Sequence, residues 1–357
     1  MTTLTTLGGL NMLRSGGVHF DVGVTLVDGT LAPLSIGDSA ASTASFQGGP
    51  RFEIDIEKAV VGGDYGLDNV TIRVFVDNVR VHEEHHASGP LTRTGTHEWT
   101  WDGFTDKGRF SSWDLVDTRI QVMVIARHYP LAQGDYGHID LAANRPGARR
   151  WLWVQIDKAN HEIDVWLRFG LAFMNGGARQ FESDLARLFV SGVEKYWSRT
   201  KSDGPYIDGD RYAVKVHAET VHRGDSHALD FEIYRTNSTE YVRSHNSGVI
   251  DGVVNYNAGY FGSTPDADAG FEYTSAHEFG HTVLQESGGT HFSWTHKGTT
   301  TLSQSPHDAT PIYALPPDEI DMMLYYSDSE PGDFYTRVHA TNSDVLRLVS
   351  LGEVELS

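Results

Sequence analysis

The pentapeptide HEFGH, His277–His281, constrains the fold of this chain more than any other stretch. It fits the pattern H-E-x-x-H, and that spacing can serve one metal ion only on a helix. Residues i and i+4 stack one turn apart there, so both imidazoles can reach a Zn²⁺ at about 2.0–2.1 Å. On a strand the same two residues would sit roughly 13 Å apart, at about 3.3 Å per residue. The glutamate next to the first histidine lies near the metal's water in such a helix and can take its proton.

The pattern occurs twice. His82, Glu83 and His86 match it in VHEEHH, Val81–His86. That stretch follows TIRVFVDNVRV, a strand–turn–strand pattern with Asp77-Asn78 at the turn, and precedes ASGP, a turn signal. It reads as a polar strand end or loop. HEFGH has helical surroundings instead. Thr274 or Ser275 can act as N-cap, Gly288-Gly289 supplies a stop, and Ala276, Phe279, Gly280, Val283 and Leu284 mark one buried face. Gly280 costs about 0.8–1 kcal/mol of helix propensity, which points to another backbone approaching closely there. The metal-site reading therefore belongs to HEFGH.

The length of the chain suggests two or three domains. Between about residue 18 and residue 128, period-2 alternation at Phe52–Ile56 and Val70–Val76 and a β-branched run at Arg119–Ala126 alternate with turn clusters. That pattern predicts an antiparallel β-sandwich of Ig-like size over 1–148. After NRPGARR (Asn144–Arg150) the pattern changes, and 149–357 reads as a zincin-like domain in an α+β protein. Trp151–Ile156 and Ile163–Phe169 look extended, and Arg179–Arg199 carries a helical 3,4 stripe. Strand-like runs follow at Tyr212–His217, Leu229–Tyr234 and Val249–Tyr256, the last a possible edge for peptide addition. A short helix is expected at HEFGH and a second near Pro317–Tyr326.

Charge narrows the partners. Lys plus Arg number 28 against 48 Asp plus Glu, a net charge of −20, which repels nucleic acid and anionic lipid. There is no cysteine, so a metal must be held by His and carboxylate. No run approaches the roughly 18 apolar residues of a membrane helix, and MTTLTTLGGLNMLRSGG lacks the basic-then-apolar pattern of a signal peptide. A secreted protein without a conventional leader is the expectation.

Catalytic zinc takes three protein ligands and keeps a fourth position for water. The metzincin positions after His281 hold Leu284 and Ser287, so a third histidine does not arrive by that route. In ALPPDEIDMMLYY, Glu319 lies beside the expected stripe of Ile320, Met323 and Leu324 and ranks first as third ligand. Asp321 ranks second, and a histidine from His291, His296 or His307 third. His296 is also a candidate for polarising a carbonyl. Tyr325 or Tyr326 could donate a hydrogen bond to a tetrahedral intermediate.

HEFGHTVLQESGGTHFSWTHKGT together with PPDEIDMMLYY resembles the metallopeptidase domains appended to type VI secretion spike proteins of Gram-negative bacteria. The likeness is clearest over Arg179–Tyr326. It implies a zincin that acts as a toxin in the periplasm of a rival cell, with His277, His281 and Glu319 on zinc and Glu278 as general base. Its partners would then be a protein or peptide substrate and an immunity protein or secretion spike. Two rivals stand beside it. One is a structural zinc site closed by His291 or His296. The other is a β-sandwich adhesion or sugar-binding protein, for which Trp99/Trp101 and Trp151/Trp153 could form a sugar face.

Overall fold

A computed structural model of the chain describes residues 19–36, 43–46, 48–58, 67–128, 134–145, 149–174, 179–236, 245–246, 253–257, 267–288, 297, 310–315, 317–324, 326 and 331–357. Contacts divide the chain into two units. One comprises Met1–Pro33, Gln47–Pro146 and Glu353–Ser357, the other Leu34–Phe46 and Gly147–Gly352.

The first unit is built of antiparallel sheets. Phe20–Asp28, Arg51–Lys58 and Gly95–Thr100 form one. Val79–His86, Asn69–Val76, Arg119–Arg127 and Asp135–Asn144 form the other, extended by Val354–Leu356 and Thr30–Leu31. Strand alternation decides which side chains are inside. Phe52, Ile54 and Ile56 are buried while Arg51 and Glu53 between them are exposed, and Val70, Val74, Val122 and Val124 are buried likewise. This is the β-rich, antiparallel half that the alternation predicts, and it is compatible with a sandwich. The C-terminal strand joins it from more than 200 residues away, which no local pattern announces.

Asp77 and Asn78 turn the hairpin between Val76 and Val79, both with positive φ (47° and 67°). A two-residue loop with both φ positive matches the twist of the flanking strands, and Asn and Asp tolerate that region where β-branched residues do not. Asn78→Val is therefore expected to cost the β-rich unit about 1–2 kcal/mol in urea unfolding. HEEHH forms the end of the same hairpin's second strand. His82 and His86 each turn a ring nitrogen to Glu84, at 2.9 Å and 3.0 Å. Trp99 Nε1 donates to the same carboxylate at 3.1 Å.

The second unit carries a mixed sheet. Glu162–Phe173 pairs antiparallel with Leu152–Asp157 and parallel with both Ala213–Val221 and Leu229–Thr236. Val253–Asn257 lies parallel to Leu229–Thr236, and His245–Asn246 pairs with its other side, so it has a neighbour on both flanks. The Arg179–Trp197 helix buries Leu185, Leu188, Phe189, Val193 and Tyr196. It crosses the Ala267–Gly288 helix so closely that a Cβ on Gly192 would fall 2.1 Å from the Glu272 carbonyl oxygen.

Two expectations are corrected. The segment around Pro317–Tyr326 is not a helix. Ile320–Asp321 is a strand paired parallel with Val338–His339, and Leu324 and Tyr326 make parallel bridges to Lys297 and Thr310. Its backbone groups bond outward, Met322 N to His339 O at 2.9 Å and Met323 O to Lys297 N at 2.8 Å. A buried run of Ile and Met satisfies a strand as well as a helical stripe, and these distant partners decide between them. The four tryptophans offered as a sugar face are all buried, Trp101 and Trp151 at 1% and 2% exposure. They are core, which removes that support for a sugar-binding role.

Candidate metal centre

HEFGH lies in the third turn of a 22-residue helix, Ala267–Gly288. The helix starts two turns before the expected caps. Thr274 and Ser275 instead bond back to the carbonyls of Gly270 and Phe271, at 2.9 Å and 2.8 Å, so their hydroxyls are satisfied inside the helix. Phe279 anchors the helix. Its ring meets Phe169, Trp197 and Trp151 at centroid distances of 5.4, 5.3 and 5.9 Å, each near edge-to-face. Trp197 Nε1 donates to the Ala276 carbonyl at 3.1 Å.

That packing turns His277 and His281 to the other flank, with ring centroids 5.0 Å apart and planes at 88°. Both are buried, as is Glu278 between them. His277 Nδ1 lies 2.8 Å from the Met322 carbonyl oxygen. A carbonyl can only accept, so Nδ1 carries the proton and the lone pair of the neutral ring sits on Nε2. This second contact, holding the tautomer and the ring plane, is what metal-bound histidines ordinarily have.

Glu278 is 3% exposed, and its Oε2 has no hydrogen-bond partner among the described residues. His281 Nε2 lies 4.0 Å from that oxygen. Burial pushes the Glu278 carboxyl up to about 8, so it holds its proton at neutral pH in the metal-free chain. Two buried histidines one turn apart are two ligands of the type zinc takes, and beside them Glu278 Oε2 lacks a hydrogen-bond partner among the described residues.

Gly280 is explained by a side chain, not by the backbone approach expected from its helix cost. A Cβ there would lie 2.4 Å from Met323 Sδ and 3.2 Å from the Trp197 ring. Alanine gains about 0.8–1 kcal/mol of helix propensity, whereas overpacking a filled core costs about 1–3 kcal/mol. Gly280→Ala is therefore expected to destabilise the protein in chemical denaturation, and an equal or raised midpoint would show that Met323 yields freely.

The other candidates are placed as follows. Glu319 Oε2 lies 2.6 Å from Arg199 Nη2, in a carboxylate that is about half exposed. Asp321 is occupied by the Met323 amide at 2.9 Å and Lys297 Nζ at 3.0 Å. Among the described residues no three His, Asp or Glu side chains gather closely enough to hold a metal. Glu319 and Asp321 are thus engaged by Arg199 and by Lys297. The Tyr326 hydroxyl donates to the Asp321 carbonyl at 2.5 Å. Tyr325, His291, His296 and His307 lie outside the described residues.

Sequence reading missed the Met322 carbonyl and the Arg199–Glu319 pair. A backbone acceptor 45 residues from its histidine leaves no residue-type signal, and neither does an ion pair spanning 120 residues.

No family model matches the chain, and no curated protein matches it. Among solved structures, a β-glucuronidase from Parabacteroides merdae with glycerol in its active site shares 9% identity. The match covers 59% of this chain and 28% of that one at a TM-score of 0.15, too low to carry any argument. No helix among the described residues is long and apolar enough to cross a membrane.

Proposed function

We propose that the chain is a zinc-dependent metallopeptidase. One observation carries the reading: a buried helical turn presents His277 and His281 with ring centroids 5.0 Å apart, Glu278 Oε2 lies 4.0 Å from His281 Nε2 without a hydrogen-bond partner among the described residues, and His277 already has its supporting carbonyl. His277 and His281 would hold the ion. A bound Zn²⁺ supplies an acidic water and polarises a scissile carbonyl.

The chain's own residues do the rest. Glu278, next to His277 on the helix, would take a proton from that water as its carboxylate and return it to the leaving amine. His277 keeps Nε2 forward because the Met322 carbonyl holds its other nitrogen. The aromatic cluster around Phe279 fixes the helix and excludes water from its packed flank. A third protein ligand completes such a site. Glu319 would fill that role in this reading by giving up Arg199 for the metal, with Asp321 next and a histidine such as His296 third. With the resemblance carried by HEFGH, THKGT and EIDMM, we read the chain as an antibacterial effector of the type VI kind. It would act on periplasmic protein and be neutralised in the producing cell by an immunity partner.

The test is elemental analysis of the purified chain together with peptide hydrolysis before and after chelation. About one zinc per chain and activity that returns on adding zinc are expected. Full hydrolysis by a zinc-free chain would overturn the proposal.

A further inference from the structure

The Met322 carbonyl that holds His277 belongs to a short turn that follows the Ile320–Asp321 strand, so something else must fix its position. A partly buried ionic cluster lies against that segment. Lys297 Nζ is 2.6 Å from Asp344 Oδ2, 3.0 Å from Asp321 Oδ2 and 3.3 Å from Thr341 Oγ1. Asp344 is fully buried, and with Thr341 it forms the capping box of the Asn342–Ser350 helix. The backbone amide of Lys297 donates to the Met323 carbonyl, and Asp321 Oδ1 accepts from the Met323 amide. One lysine therefore joins three stretches of chain around Met322 and Met323. Its side chain grips the residue just before them, and its backbone grips Met323 itself.

Buried ion pairs add little net stability over apolar packing of the same volume, because desolvation offsets their attraction. Where such a cluster is kept, its best-attested use is to fix register. Here the element whose register it fixes ends on the carbonyl that sets the tautomer of His277.

We infer that Lys297 is a positioning residue for the metal pair, holding the Met322 carbonyl against His277 Nδ1 through Asp321 and Asp344. The inference rests on the metallopeptidase reading for its metal, but its effect on the His277 ring does not need the metal. Groups that support a metal-bound histidine change metal affinity by about 10–100-fold when removed.

The experiment compares the full-length chain with Lys297→Met and Lys297→Arg. Zinc affinity is read by competition with a chromogenic chelator, and the His277 tautomer by ring-nitrogen NMR of the metal-free protein. Lys297→Met should weaken zinc binding about 10–100-fold and mix the His277 tautomers, and Lys297→Arg, which keeps the charge, should recover most of both. If Lys297→Met does not fold, Lys297→Met/Asp344→Asn removes one charge of each sign and is measured in its place. A folded variant with wild-type zinc affinity and an unchanged His277 tautomer overturns the inference while leaving the metallopeptidase reading standing. A wild-type chain that takes up no zinc overturns that reading instead, and the tautomer comparison still decides the role of Lys297.

Discussion

Glu278→Gln is expected to lower peptide hydrolysis by about 10²–10⁴-fold, the usual contribution of a positioned general base, with zinc content unchanged. The amide keeps the shape of the side chain but cannot accept a proton from water. Loss of zinc along with activity would instead show that Glu278 helps to hold the metal. Full activity in the variant would remove Glu278 from the chemistry.

The same substitution carries a pH signature in the metal-free chain. Burial raises the Glu278 carboxyl from its ordinary 4.5 to about 8 in the folded protein. A raised folded pKa means that the native state binds the extra proton, so this group's contribution is fully present below about pH 4.5. It is lost progressively as pH rises through about 8, a fall on the order of 4 kcal/mol over that range. Unfolding of wild type and Glu278→Gln compared at pH 5 and pH 8 isolates it. Wild type should lose more stability than the variant between the two, and equal losses would mean that the carboxyl is not desolvated.

Phe279→Ala should have the largest effect on stability. Phe279 is fully buried and contacts Trp151, Phe169 and Trp197, rings drawn from two strands or turns and the neighbouring helix. Removing a buried aromatic of this kind costs about 3–5 kcal/mol, through lost transfer energy and the cavity left behind. Phe279→Leu fills most of the volume and should cost less than about 1.5 kcal/mol. Because Phe279 lies between Glu278 and His281 on the same helix, the alanine variant should also weaken zinc binding. An alanine variant within about 1 kcal/mol of wild type would show that the aromatic cluster does not anchor this helix.

Local chemistry was enough to place much of the scaffold. The Asp77-Asn78 turn follows from the few residues that accept positive φ. The burial of Phe52, Ile54 and Ile56 follows from period-2 alternation, and the Arg179–Trp197 helix from its 3,4 stripe. Helical spacing also separates HEFGH from HEEHH, because two histidines four apart share a flank only on a helix. In the structure the second set lies on a strand, each outer histidine bonded to Glu84.

Tertiary structure decided what those periods leave open. Ile320–Leu324 has the apolar content of either element, and bonds to His339 and Lys297 make it a short strand and turn in place of a helix. The period of the segment does not announce that Glu319 meets the buried Arg199 guanidinium, 120 residues away. The Met322 carbonyl, the Met323 sulfur over Gly280 and the Lys297 cluster all come from segments far apart along the chain. Periodicity reports which face of an element is buried, not which distant group will be found against it. The helix that carries HEFGH could therefore be read from the sequence, and the surroundings that orient His277 and leave Glu278 Oε2 without a hydrogen-bond partner among the described residues only from the fold.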